Sequence, residues 1–223
     1  AVTSNLTLDM TINPDFGQVE ADPAEVNLSA FETFFSEQRP FFLESTDIYQ
    51  LKIGYTDHLF HSRRIGRRPQ GRANVLGGYS DSPDVTKINA ATKLSGKTEG
   101  GWTLGLLTAQ TEEAIANIVT GEGDRLTQVI EPGTQYSYAR VQKDFRSGRS
   151  AVGFVSTHVH RDAIAADDIG LHREALTGGF DFRHRFWNDT HSLAGQIVGS
   201  RVAGSEATIA RTQRSPGRYM HRP

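Results

Sequence analysis

From Val85 onward, apolar and polar positions alternate with a period of two. Ile88, Ala90, Thr92 and Leu94 fall on one face of an extended chain, with Lys87, Asn89, Ala91 and Lys93 on the other. The turn sequence GKTEGG follows. Then Trp102, Leu104 and Leu106 alternate with Thr103 and Gly105, completing a first hairpin. A second hairpin runs from Tyr136 to Phe145, turns at RSGR and returns from Ser150 to Val159. The third sets Leu176, Phe180, Phe182 and Phe186 against Thr177, Asp181, Arg183 and Arg185. It turns at WNDT and returns with Leu193, Gly195 and Ile197 opposite Ser192, Ala194 and Gln196.

Connection lengths alternate as regularly as the side chains. The turn within each pair takes a few residues, whereas the links between pairs are long: Gln110 to Gly133, His160 to Arg173, and from Val202 onward. Outer-membrane β-barrels are laid out this way, with short periplasmic turns, longer extracellular loops and strands of about 9–11 residues. A soluble antiparallel sandwich shares the alternation but joins its strands by short connections at both ends. Trp102, Tyr136, Tyr138, Phe145, Phe186 and Trp187 sit near predicted strand ends, the level of an aromatic girdle. The pattern predicts an all-β fold, an antiparallel meander of hairpins forming part of an outer-membrane β-barrel, with six to eight strands in this chain. Residues 85–223 hold the hairpins. Residues 1–84 are irregular, rich in Phe, Pro and charge, and read as a plug-like lead-in with a first strand.

Composition changes this picture little. A mean hydropathy of −0.45 suits a soluble protein, but it also suits a barrel wall, where only every second residue meets lipid. No stretch supplies the ~20 apolar residues of a membrane-spanning helix. The net charge of −2 gives no global attraction to nucleic acid, and the absence of Cys removes disulfides and thiolate metal sites. Ala1 to Met10 has neither the basic start nor the apolar core of a secretion signal. An exported barrel with this start is expected to be an internal part of a longer chain. It would close only with the remainder of that chain or with other copies, since an edge strand in lipid leaves backbone groups unpaired.

Several motifs invite chemistry and fail on spacing. LSGKT (Leu94 to Thr98) has the tail of a phosphate-binding loop, but Ala91 stands where that loop needs Gly and no helix follows. Asp15, Glu20, Asp22 and Glu25 supply hard oxygens without the spacing of a calcium loop. His58 and His61 would share a face on a helix but have no third ligand nearby, and no GxSxG elbow occurs. No cofactor, metal site or catalytic residue is expected. RRIGRRPQGR (Arg63 to Arg72) carries five Arg, which suit anionic groups or local partners such as Glu37 and Glu44. Pro40, Phe41 and Phe42 read as an ordered segment packing aromatics on or inside the barrel. The polar set of interest is Asp181, Arg183 and Arg185. If Phe180, Phe182 and Phe186 face lipid, these three line the lumen, where they would select anions or pair across the wall.

The stretches NPDFGQVEADPAEVNLSAFETFFSEQRPFFLE (Asn13 to Glu44), LFHSRRIG (Leu59 to Gly66) and GGFDFRHRFWNDTHSLAGQIVGSRVAGSEATIARTQRS (Gly178 to Ser215) resemble a bacterial envelope family. Its barrel is classed as a domain of unknown function, DUF5916, and commonly follows a domain similar to carbohydrate-binding family nine. The resemblance implies a bacterial outer-membrane location and a barrel in contact with outer-membrane lipid. It assigns no catalytic residues. The carbohydrate-binding-like domain has no counterpart here, so glycan or small-solute handling at the cell surface is the expected role of the assembly only. A soluble carbohydrate-binding sandwich and a glycan-processing hydrolase are the two competing readings. The first needs an apolar core between two sheets. The second needs two convergent carboxylates, with Asp181 or Glu20 as candidates.

Overall fold

The computed structural model describes residues 5–14, 35–49, 51–53 and 57–215. A first strand, β1 (Leu6–Ile12), is followed by two short helices, α1 (Pro40–Leu43) and α2 (Thr46–Tyr49). Two minimal strands, β2 (Lys52–Ile53) and β3 (Asp57–His58), pair with each other, and a 3-10 turn covers Ser62–Arg64. Next come β4 (Tyr79–Asp81), β5 (Ile88–Lys97), β6 (Trp102–Thr111), β7 (Ala114–Val119) and β8 (Arg125–Glu131). The chain continues through β9 (Thr134–Phe145), β10 (Ser150–Arg161), α3 (Ala163–Ile169), β11 (Glu174–Phe186), β12 (His191–Ala203) and α4 (Glu206–Gln213).

Seven strands make one antiparallel sheet in the order β1-β5-β6-β9-β10-β11-β12. The three expected hairpins are present, and their turns lie where the sequence placed them. Gly101 donates to the Thr98 carbonyl at 2.9 Å and closes the first turn. The other two turns run through successive left-handed residues, Arg146–Ser147–Gly148 and Trp187–Asn188–Asp189. Asn and Asp tolerate that region better than most residues, which explains their place there. LSGKT lies in β5 and its turn, with no helix after the Lys.

All three turns lie at one end of the sheet, and the long connections leave from the other. The sequence read those connections as plain linkers; the structure gives each of them regular elements. Residues 114–131 form the β7–β8 hairpin, which pairs with β4 in a separate three-stranded sheet. The β10–β11 link contains α3, capped by Asp162, whose side chain accepts from the Ala165 N–H at 3.1 Å. Beyond β12, Ser205 caps α4 in the same way. Arg211 of α4 donates to the Gly170 carbonyl just beyond α3, so the two helices are tied together at this end.

Register across the sheet sorts the side chains cleanly. Leu104, Val141, Phe154, Phe180 and Ile197 lie side by side across five strands on the outer face. One residue along, Thr103, Gln142, Gly153, Asp181 and Gln196 form the matching row on the inner face. The main core lies between that inner face and residues 41–65. It joins Phe42, Tyr49 and Ile65 to Ala91, Leu107, Ala109, Tyr136, Tyr138 and Val155. Tyr136 and Tyr138 therefore point inward into this core and are not part of a girdle. Trp102, Phe145 and Phe186 do lie on the outer face at the short-turn end, with Trp187 in the turn beside them.

Candidate functional site

The inner face is polar over much of its area, and a folded loop occupies it. Residues 13–87 connect β1 to β5, leaving and returning at the long-connection end, and α1 and α2 of this loop lie against the sheet. Pro40 at the first helical position starts α1. The segment read from the sequence as ordered, packing its aromatics on or inside a barrel, lies here against the inner face of the sheet: Phe42 is buried, and Phe41 meets it edge to face at 5.0 Å.

Lys93 is the anchor of this contact. It is 1% exposed, and its Nζ donates to the carbonyls of Phe41 at 2.7 Å and Glu44 at 3.1 Å. Asp9 of β1 and the Glu44 carboxylate each stand 3.6 Å away. A buried ammonium needs such a shell, because burying an unpaired charge costs more than any packing gain at the same spot. Ser95 donates to the Ser45 hydroxyl at 2.9 Å. The Tyr49 hydroxyl lies 2.9 Å from the Leu94 carbonyl, and Tyr138 reciprocates by donating to Ile48 at 3.3 Å. Burial pushes the Tyr49 hydroxyl above its ordinary range, so it stays protonated as a donor. A Cβ on Gly105 would come within 2.5 Å of the Ile48 Cγ2, so glycine at this position gives α2 its seat.

EQRPFFLE and SRRIG clip to each other. Arg39 donates to the carbonyls of Ile65 at 2.6 Å and Ser62 at 2.8 Å, and its guanidinium lies 4.3 Å from the Phe42 ring centre. The same guanidinium holds Glu37 through Nε and Nη2 at 2.8 and 2.7 Å, and Ser62 donates to Glu37 at 2.5 Å. Burial opposes ionisation of Glu37, but Arg39 and Ser62 outweigh it and hold the carboxyl below its usual range. Glu37 thus serves Arg39, and Glu44 faces Lys93; Arg68 of the basic run pairs with Asp84 at 3.1 Å. A cavity of about 250 Å³ remains between loop and sheet, lined by Glu37, Phe42, Tyr49, His61, Lys93 and Leu107 among others.

Asp181, Arg183 and Arg185 share the inner face, opposite Phe180, Phe182 and Phe186. Asp181 accepts from both Nη atoms of Arg140, the Nη2 contact measuring 3.0 Å. This pair spans the intervening strand β10 at Gly153, where a Cβ would lie 2.6 Å from the guanidinium nitrogens. Arg140 continues to Gln142 at 2.8 Å, and Gln142 to Asp144 at 3.0 Å, where Lys97 also pairs. The sequence marked Asp181 but missed Arg140, which only the two-strand register brings to it. Arg183 and Arg185 are exposed on this face.

His58 and His61 do not share a helix. His58 ends β3, and His61 precedes the 3-10 turn with its Nε2 2.9 Å from the Phe35 carbonyl. Among the described residues no group of three His, Asp or Glu side chains is arranged to hold a metal ion. The acidic cluster Asp15, Glu20, Asp22 and Glu25 lies outside the described residues.

Fold and site together define an antiparallel strand meander with an apolar outer face, a polar inner face and a loop folded onto the latter. The chain belongs to the family described as a domain of unknown function, DUF5916, whose profile matches residues 1–217. No curated protein and no solved structure matches it.

Proposed function

We propose that this chain forms part of the wall of a bacterial outer-membrane β-barrel, a non-enzymatic envelope component in glycan or solute handling at the cell surface. The observation that carries the reading is the outer face. Leu8, Met10, Val152, Phe154, Phe180, Phe182, Leu193 and Ile197 are all exposed there. Each such side chain gains about 1.5–3 kcal/mol on leaving water, and soluble monomers rarely expose contiguous apolar patches beyond roughly a few hundred Å².

The ends of the band support the same reading. At the short-turn end, Lys143 lies 5.0 Å from the Trp102 ring and 5.9 Å from that of Phe145, a belt of aromatics with a cation at the interface. At the other end the outer positions become Gln110, Gln135, His158, His160, Glu174 and Arg201. The strands β9 to β12 span 12 or 13 residues, enough for a tilted crossing with a margin.

Among the described residues the rival readings lack their marks. A sandwich needs a second sheet over the apolar face, and that face is bare among the described residues. Of the hydrolase's candidate carboxylates, Asp181 has both oxygens taken by Arg140, and Glu20 lies outside the described residues. Membrane fractionation of the full-length protein, followed by a heat-modifiability gel, tests the proposal. Recovery in the outer membrane with a mobility shift on boiling is expected; recovery in the soluble fraction without a shift would overturn it.

A further inference from the structure

The two edges of the seven-stranded sheet run in the same direction. Leu6 of β1 stands opposite Gly96 beside the first short turn, and Ile12 lies near the long-connection end, opposite Ala90. His191 of β12 follows the third short turn, and Ala203 reaches the long-connection end opposite Glu174. Seven strands in an up-and-down meander require this.

Both edges keep the alternation of the wall. On β1, Leu8 and Met10 face outward while Thr7, Asp9 and Thr11 face inward; on β12, Leu193 and Ile197 face outward, with Ala194 and Gln196 inward. Neither strand contains Pro, and neither has a register shift against its neighbour. β12 is 13 residues long. Edges that stay open in native proteins are short, bulged or charged against pairing. These two are prepared for it, and in lipid an unpaired row of N–H and C=O groups is not sustainable.

Closure of β12 directly onto β1 is excluded by the loop. A barrel of about eight strands has room inside for side chains or one small ligand, whereas this inner face carries α1 and α2. A second copy inserted in the same sense, rotated about the membrane normal, would bring β12 against β1 in parallel. Rotation about an axis in the membrane plane would pair like edges antiparallel but put the second copy's α3 and α4 on the opposite side.

Resting on the barrel reading above, we infer that β1 and β12 pair in the native protein with further antiparallel strands of the same polypeptide. The added strands are odd in number, so the whole wall is even and both ends of the barrel lie on the same side. Their chemistry is set by the edges they meet: apolar residues outward in line with Leu8 and Ile197, small or polar residues inward beside Asp9 and Gln196.

The experiment uses the full-length protein with an epitope tag at each end of the barrel, in intact and in permeabilised cells. Its chain stoichiometry is measured by sedimentation in mild detergent, and amide exchange is followed in β1 and β12. One chain per particle, slow exchange in both edge strands, and labelling of both tags under the same condition, intact or permeabilised, are expected. One tag labelled in intact cells and the other only after permeabilisation would mean an odd wall with a parallel seam and would overturn the inference. Two chains per particle, or fast exchange along either edge, would do the same. Absence of a heat-dependent mobility shift would instead remove the barrel itself, so the two failures are read separately.

Discussion

The ammonium of Lys93, in the middle of β5, lies 2.7 Å from the carbonyl of Phe41 in the loop that covers the sheet. A strand residue of the sheet thus donates to two carbonyls, of α1 and its C-terminal flank. Replacing it with Met keeps much of the aliphatic stem and leaves those carbonyls without their donor. Lys93→Met is expected to weaken the docked loop by about 2 kcal/mol, the cost of leaving buried acceptors unsatisfied. Limited proteolysis should then cut within residues 35–49 at rates where the wild-type loop is intact. Unchanged protection would show that the anchor lies elsewhere.

Arg140 and Asp181 make a partly shielded pair, Asp181 keeping 21% of its side chain exposed. Asp181→Asn should destabilise the sheet by about 1–2 kcal/mol, below the range for a fully buried pair because water reaches one partner. Arg140→Met combined with Asp181→Leu should recover part of that loss, read as the temperature at which the folded gel band disappears. A variant losing only a glycan-cleaving activity, with stability unchanged, would revive the hydrolase reading.

Glycine at 105 seats α2. Gly105→Ala sets a methyl 2.5 Å from the Ile48 Cγ2, so the helix must shift outward. A loss of about 1–2 kcal/mol is expected from such overpacking. Ile48→Ala in the same chain should restore part of it, because the obstructing methyl group is gone. Stability measured for the two single variants and the pair would reveal that coupling, and simple additivity would refute it.

Acid should loosen the clip between EQRPFFLE and SRRIG. The folded-state pKa of Glu37 lies below the ordinary glutamate value of about 4.5, so its contribution to stability is complete above that value. It fades as pH falls through the lowered folded pKa. Protease sensitivity of residues 35–65 should therefore rise below about pH 4.5 in the wild type. Glu37→Gln should be sensitive already at neutral pH and lose that part of the acid dependence.

A cation on the outer face tests the membrane reading directly. Phe180→Arg places a charge in the middle of the apolar row, at a cost of about 2–4 kcal/mol near a bilayer midplane. Gln196→Arg, on the inner face beside Asp181, should be tolerated. Folding yield into lipid vesicles, scored by heat modifiability, distinguishes them. Equal yields would contradict a lipid-facing row.

The hairpins were legible because a period of two declares itself over ten or more residues, and each pair is closed by an unambiguous turn. β7 and β8 were not, since six- and seven-residue strands inside a long connection look like a linker. Tyr136 and Tyr138 misled for a different reason. β9 carries apolar groups on both faces, Ala139 and Val141 outward and the two tyrosines inward, so alternation alone does not orient it. Asp181 stood out as polar between phenylalanines, yet Arg140 lies 41 residues away in sequence and is found only by counting register across β10. Likewise, EQRPFFLE and SRRIG were distinctive as words, but nothing in either says that Arg39 reaches the carbonyl of Ile65.

The loop over the inner face begins and ends on neighbouring strands, where Asn13 donates to the carbonyl of Asn89 at 2.7 Å. Its two roots are thus about one strand spacing apart, near 4.8 Å, while its body reaches the centre of the sheet. A separately folded domain resting on the sheet could diffuse away; this loop is rooted in the sheet at both ends. Were the Lys93 contacts to break, the return of the loop to the sheet would be a first-order event at fixed local concentration. Such re-docking needs no partner to recruit.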